Sequence, residues 1–199
     1  MTNSRVGAER SGDTHYHVQP GKAKSGLWRE IAQTAILASL MYLLARVAVQ
    51  NFRVEGDSMQ PTLHNAEYVL VDKAEYRFHS PQRGDVVVFH AVPADNPGRD
   101  FIKRIIAQPG DTVEMRGGRV YVNRHQLHEA YISSRSVTFF AMRRVPKNSY
   151  FVLGDNRYNS FDSSRWPRTP WLDRKYIIGR ALLSYWPVNE VTSLTVRIF

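Results

Sequence analysis

Hydrophobic positions fall into two regimes along the chain. From Ile31 to Val49 they form one run without Gly or Pro, Ile-Ala-Gln-Thr-Ala-Ile-Leu-Ala-Ser-Leu-Met-Tyr-Leu-Leu-Ala-Arg-Val-Ala-Val. With its flanks the run reaches the about 20 residues that a helix needs to cross the hydrocarbon core of a bilayer. Trp28 and Arg29 before it, and Phe52 and Arg53 after it, suit the two interfaces, and Arg46 lies near enough to the far end to snorkel. Gln33, Thr34, Ser39 and Arg46 lower its hydropathy, so an amphipathic helix packed on a domain is the competing reading. Beyond residue 50 the apolar positions come instead in short runs between turn residues. Tyr68–Asp72, Asp85–His90, Phe101–Ile106, Asp111–Met115, Arg119–Val122, Val145–Leu153 and Gly179–Trp186 read as strands, with Val191–Ile198 as a further one. Gly117-Gly118 is a hairpin signal between two of them. Pro93–Gly98 and Pro167–Asp173 read as loops, and no segment of helical period and ordinary length follows residue 50. The pattern predicts a mostly β protein: a flexible tail over 1–27, a transmembrane helix over 28–50 and an antiparallel β domain over 51–199.

Composition narrows the function classes. With no cysteine in 199 residues, disulfides, a thiol nucleophile and thiolate metal sites are excluded. The formal charge of +9, from 27 Lys+Arg against 18 Asp+Glu, favours anionic partners. The basic residues are scattered and no compact block reads as a nucleic-acid arm, so no nucleic-acid partner is expected and an anionic lipid surface is the better match. In the tail, Arg5, Arg10, Lys22, Lys24 and Arg29 outnumber Glu9 and Asp13, which predicts an N-terminus on the cytoplasmic side. A cleaved signal peptide fits poorly, because the tail is long and no small-x-small site follows the apolar run. His15 and His17 have no further ligand near them in sequence and read as solvated.

Three stretches carry candidate chemistry. Val54-Glu-Gly-Asp-Ser-Met-Gln-Pro-Thr-Leu63 places Ser58 in a constrained bend between Gly56, which tolerates unusual backbone angles, and Pro61, which fixes φ and favours an extended Gln60. The serine reads either as a nucleophile or as an ordinary turn residue. In Asp100-Phe-Ile-Lys-Arg-Ile-Ile106, strand alternation sets Phe101, Lys103 and Ile105 on one face and Ile102, Arg104 and Ile106 on the other. A lysine buried there would lose solvation of its charged form and become a base able to take a serine proton; exposed at a strand edge, both cations would only guard against aggregation. The third stretch, Gly154-Asp-Asn-Arg-Tyr-Asn-Ser-Phe-Asp-Ser163, is a dense polar loop after a strand. It can fold on its own side chains or supply hydrogen bonds that hold a catalytic amine. Its spacing lacks the alternation and closing Glu of a calcium loop, so no metal is expected, and Arg157 and Tyr158 read as solvent-facing.

Together, Gly56-Asp-Ser-Met-Gln-Pro-Thr-Leu63, Phe101-Ile-Lys-Arg104 with Pro109-Gly-Asp-Thr-Val-Glu114, and Gly154–Ser163 resemble the boxes of type I signal peptidases, in that family's order over residues 50–186 and behind a single N-terminal span. The resemblance implies an antiparallel β catalytic domain of the kind shared with self-cleaving repressor proteases, extracytoplasmic and anchored in the cell membrane. It implies that signal peptides of exported preproteins are the substrates and that no cofactor is used. Carried over by position, Ser58 is the nucleophile and Lys103 the general base. Ser160 orients the amine, the Ser58 N–H binds the oxyanion, and Asp155, Asp162 and Arg104 support the site. Phe52, Val54, Phe101 and Ile102 match positions that line pockets for small substrate side chains, and Met59 is expected near the cleft. Gly56 stands where some bacterial members carry a hydroxyl, which adds a donor to the oxyanion hole. Ser164 stands where the family usually has Arg, so no salt bridge from that position to Asp162 is expected. Self-cleaving repressor proteases carry a DNA-binding domain that residues 1–50 do not resemble. The alternative reading is a catalytically inactive, membrane-tethered peptide-binding homologue.

Overall fold

The structure, a computed structural model, describes residues 23–91, 98–135, 137–187 and 191–194. The predictions for tail residues 1–22, for most of the 93–98 loop and for a strand beyond residue 194 lie outside these residues. The chain forms two compact units, Met1–Tyr42 and Leu43–Phe199.

Helix α1 runs from Ala23 to Ala48, and its stretch Gly26–Ala48 is long and apolar enough to cross a membrane. Leu, Ala and Met favour the helix, and the side chains of Ile36, Leu37, Leu40, Met41 and Leu43 are exposed rather than packed in a protein core. The helix stops without a glycine cap. Lys73 N–H takes the carbonyl of Ala48 at 2.8 Å, satisfying one of the last free helical acceptors, and the next residue enters strand β1, Val49–Arg53. The sequence reading of a helix over 28–50 thus begins five residues late and ends two residues late against the observed element. The apolar run continues unbroken into β1, and only pairing decides where the helix ends.

The remaining strands are β2 (Tyr68–Asp72), β3 (Val86–His90), β4 (Asp100–Ala107), β5 (Thr112–Arg116), β6 (Arg119–Val122), β7 (His125–Gln126), β8 (Phe140–Arg144), β9 (Ser149–Leu153), β10 (Leu172–Asp173), β11 (Ile177–Trp186) and β12 (Thr192–Ser193). A one-turn helix, α2, spans Glu75–Phe78. The larger sheet has the order β1-β2-β11-β3-β4-β9-β10, with β12 on β11; the smaller has the order β7-β6-β5-β8. Every pairing is antiparallel, in agreement with the predicted class. The smaller sheet lies in sequence between β4 and β9. Its core is continuous with theirs, since Val113, Met115 and Val122 pack in one cluster with Ile106, Phe151 and Leu153.

On the large sheet, β3 is buried on both faces, with Val86, Val87, Val88 and Phe89 at 2% exposure or less. Burying each such side chain stabilises the fold by about 1.5–3 kcal/mol before entropy. Val86 and Val88 face a cluster with Val54, Met59, Leu63 and Val69, whereas Val87 and Phe89 face one with Ile105, Tyr150 and Trp166. The sheet therefore holds β4 beside its central strand, β3, with apolar layers on both sides.

Candidate active site

Strand β4 pairs with β3 on one side and β9 on the other, placing Lys103 opposite Val87 and Arg104 opposite Leu153. The edge-strand reading of these two cations is thereby excluded: Lys103 is 3% exposed and Arg104 0%. Lys103 Nζ lies 2.7 Å from Ser58 Oγ, donates to the carbonyl of Ile102 at 2.9 Å and sits 5.5 Å from the Phe101 ring centroid. Burial lowers the Lys103 amine to about 8, and the carboxylates of Asp162 and Asp155 pull it partly back up. The outcome is an amine that loses its proton far more readily than a solvated lysine.

The Ser58 loop is closed by its own backbone. Val54 N–H bonds Glu67 O, Ala66 N–H bonds Val54 O, and Leu63 N–H bonds Met59 O, all at 2.8–2.9 Å. Met59 and Leu63 anchor the loop by burying in the core beneath it, at 1% and 0% exposure. Met59 is thus packed with Val54 in the core and is not among the side chains that line the cleft. Gly56 adopts φ 84°, and a Cβ there would meet no atom within 4 Å, so the glycine serves the backbone angle and not space. Its N–H bonds Asn65 Oδ1 at 2.9 Å. The Ser58 N–H has no acceptor among the described residues.

The polar loop joins both of the other stretches. Arg104 Nε and Nη2 bond the two carboxylate oxygens of Asp155 at 2.9 and 2.7 Å, both side chains fully buried, and Arg104 Nη1 reaches Gly84 O at 2.9 Å. Such a fork-to-fork pair, with Gly84 O as a further partner, compensates the burial of both ions. Thr62 Oγ1 donates to the second Asp155 oxygen at 2.6 Å, so one carboxylate ties the nucleophile loop to the lysine strand. Asn156 N–H bonds Ser58 O at 3.0 Å and its Nδ2 bonds Asp57 O at 3.1 Å. Asp162 accepts from Gly154 N–H at 3.0 Å and from Ser164 N–H and Oγ at 3.1 and 2.7 Å. Ser164 thus serves Asp162 with a hydroxyl, while Arg165 turns to the carbonyl of Tyr158 at 3.0 Å.

Gly154 makes this closeness possible. A Cβ at that position would lie 2.6 Å from Ser160 Cβ and would collide with Ser160 Oγ and Ser58 O. Ser160 is buried at 4% exposure, and its Oγ has no hydrogen-bond partner. The bond from Ser160 to the Lys103 amine that the family resemblance implies is not made in this structure. A buried hydroxyl left without a partner costs about 1–3 kcal/mol, and this one lies against Gly154 at the back of the site.

A cleft of about 310 Å³ opens onto the pair, lined by Phe52, Val54, Ser58, Phe101, Ile102 and Lys103 among others. Of the sequence-predicted residues, Ser58, Lys103, Phe52, Val54, Phe101 and Ile102 meet at this cleft, and Asp155, Asp162, Arg104 and Ser160 stand behind it. Arg157 requires a correction. It is not solvent-facing but buried at 4% exposure, with Nη2 on Glu129 Oε1 at 2.5 Å and Nε on Gly154 O at 3.0 Å. The reason is tertiary: Glu129 and Tyr131, from the segment after β7, reach across to it, and the Tyr131 ring also covers the Arg104 guanidinium at 4.4 Å. Sequence reasoning gave no role to Thr62, Glu129 or Tyr131. Thr62 lay within the serine stretch and offered a signal; the other two offered none. Among the described residues no cluster of His, Asp or Glu could hold a metal ion.

Chemically, a buried amine of lowered basicity in contact with a hydroxyl is a base–nucleophile pair. The free Ser58 N–H beside it is a donor suited to a developing oxyanion. Similarity to known proteins agrees in kind. The family model described as "Signal peptidase, peptidase S26" matches residues 27–186. A signal peptidase I of Leptolyngbya laminosa is 42% identical over 179 residues, covering 87% of this chain and 86% of its own. A probable signal peptidase I-2 of Synechocystis sp. is 40% identical over 84% of this chain and 78% of its own, and signal peptidase I U of Bacillus subtilis is 36% identical over 78% and 86%.

Proposed function

The chain belongs to the signal peptidase family, peptidase S26, and has type I signal peptidase function; from that premise we propose that Ser58 is its nucleophile and Lys103 its general base. The observation that supports this reading is the 2.7 Å contact between Lys103 Nζ and Ser58 Oγ inside an apolar layer. In its neutral form Lys103 accepts the Ser58 proton as Oγ attacks the scissile carbonyl. The tetrahedral oxyanion is held by the Ser58 N–H. The lysinium then protonates the leaving amine, giving an acyl-enzyme and a free mature N-terminus. Lys103 next takes a proton from water as the water oxygen attacks the acyl carbon. The lysinium returns that proton to Ser58 Oγ as the Oγ–acyl bond breaks, and the signal peptide leaves with a carboxyl terminus. Ser160, beside Ser58 and lacking a partner, is the group that turns to the amine when it becomes charged. Asp155, Asp162 and Arg104 hold the loop and strand in register.

The substrate is the signal peptide of an exported preprotein. Its residues before the cut lie extended against Phe52, Val54, Phe101 and Ile102, and the narrow pockets between these side chains favour small residues. Helix α1 anchors the enzyme in the cell membrane with the N-terminus cytoplasmic and the β domain on the other side, where the hydrophobic part of the substrate is itself embedded. Confinement of both partners to one surface raises their effective concentration. To test the assignment, the full chain and its Ser58→Ala and Lys103→Ala variants are compared in detergent or liposomes on a preprotein with an Ala-x-Ala site. Cleavage after that site by the parent chain only, unaffected by chelator, is expected. Equal cleavage by all three would exclude the dyad, and substrate binding without cleavage by any would establish the inactive peptide-binding homologue.

A further inference from the structure

Next to the catalytic cleft lies a second pocket of about 400 Å³, sharing Phe52 and Asp100 with it and lined also by Gln50, Lys73, Arg77, Lys175, Ile177 and Ile178. Its charges are unbalanced. Lys73 Nζ meets only the neutral amide of Gln50, at 3.2 Å, and the Arg77 side chain has no acidic partner among the described residues. Lys175 has Asp173 at 3.4 Å in an exposed pair. Asp100, the acid lining the pocket, is engaged by His90 at 2.8 Å. The rest of the lining includes the half-buried apolar side chains Phe52, Ile177 and Ile178. Phe78, the residue after Arg77, is 81% exposed, an aromatic with no protein surface to cover it.

Chain connectivity bounds the distance between this pocket and the end of the span. Helix α1 ends at Ala48, whose carbonyl is bonded by Lys73 N–H, and Gln50 follows two residues later. Two extended residues span about 7 Å, and the headgroup layer beyond the hydrocarbon core is about 5–8 Å thick on each side. Gln50, and with it the edge of the pocket it lines, therefore lies within headgroup reach of the end of a membrane-spanning α1. Cations with apolar side chains and an exposed aromatic at that level suit a lipid better than a water-borne anion.

We propose that Lys73, Arg77 and Lys175 bind the phosphate of an anionic lipid headgroup, with Phe52, Ile177 and Ile178 against its glycerol end. The site is distinct from the Ser58–Lys103 chemistry but adjoins it through Phe52, so a bound lipid lies beside the path by which a membrane-embedded substrate enters the cleft. The inference rests on the membrane-anchored reading of α1.

The test uses the full chain in neutral detergent, titrated with short-chain phosphatidylglycerol, short-chain phosphatidylcholine and inorganic phosphate, with binding followed by calorimetry. The variant carries Lys73→Gln, Arg77→Gln and Lys175→Gln, and its cleavage of a soluble Ala-x-Ala peptide reports on folding and on the peptidase site. Saturable phosphatidylglycerol binding by the parent, weaker by on the order of a hundredfold in the variant with peptide cleavage retained, is the expected result. Equal binding of phosphatidylcholine would overturn the proposal, as would inorganic phosphate binding as tightly as the lipid. Undiminished phosphatidylglycerol binding by the variant would do the same. Loss in the variant of cleavage only for substrates with an acidic residue before the cut, without loss of lipid binding, would reassign the pocket to substrate. Should the parent cleave the soluble peptide yet bind no phosphatidylglycerol, the lipid site fails and the peptidase assignment stands.

Discussion

Replacing Lys103 by methionine is expected to abolish cleavage while making the protein more stable. Burial lowers this amine from 10.5 to about 8, and each pH unit is worth about 1.4 kcal/mol, so a charged Lys103 is disfavoured in the folded state by about 3 kcal/mol. The sign follows from proton counts. Between about 8 and 10.5 the unfolded chain holds a proton that the folded chain has lost, so stability rises with pH across that window and the penalty is full below it. Methionine matches the lysine stem in length and carries no charge. It forfeits the bonds to Ser58 Oγ and Ile102 O, worth about 1 kcal/mol each, leaving a net gain of about 1 kcal/mol near pH 7. For a chain of this size that is about 2–4 °C in Tm. Thermal unfolding of both proteins in the same detergent, near pH 7 and again near pH 10, measures it. The variant should lead near neutrality, and the gap should close as pH rises. A gap of the same size at both pH values, or a variant less stable near neutrality, would refute the claim that desolvation of this amine sets its basicity.

The same titration governs rate. With Lys103 lowered to about 8, its neutral fraction rises about tenfold from pH 7 to pH 9; kcat/KM on a soluble peptide should follow, and a limb at the ordinary lysine value would exclude Lys103 as the base in this environment. Asp155→Ala leaves Arg104 buried at 0% exposure without its partner, and a loss of about 3–5 kcal/mol is expected, read by denaturant unfolding; a loss below about 1 kcal/mol would mean that water or the Gly84 carbonyl suffices. Gly154→Ala drives a Cβ into Ser160 and the Ser58 carbonyl. It should lower stability by about 1–3 kcal/mol and depress kcat more than it raises KM, whereas unchanged kinetics would show that the polar loop can retreat without cost to the nucleophile.

The strands of the large sheet were legible because runs such as Val86–Phe89 and Phe101–Ile106 combine β-branched residues with flanking turn signals. Strand β1 was hidden for the opposite reason. It continues the apolar run of the helix, so neither composition nor a breaker marks the change at Ala48, and the pairing of Val49 with Asp72 decides it. Strand β8 escaped notice because Phe140-Ala-Met-Arg-Arg144 shows no alternation and is mostly exposed at the edge of its sheet. At the site, the three stretches were visible from spacing and type. The buried state of Lys103 and Arg104 was not, because it depends on β3 and β9 closing over both edges of β4. Arg157 was misjudged because its counter-charge, Glu129, is 28 residues away in the smaller lobe, a distance at which local sequence says nothing about pairing.

The tie between Asn156 N–H and the Ser58 carbonyl spans almost half the chain, and the contact from Thr62 to Asp155 covers 93 positions. Ser58 and Lys103 themselves are 45 apart, so both have been synthesised long before the strand and loop that hold them in place. The Ser58 loop therefore gains its ties to Asp155 and Asn156 only once the chain has been extended past the polar loop. A chain truncated before residue 150 carries both side chains but none of the ties that the polar loop supplies.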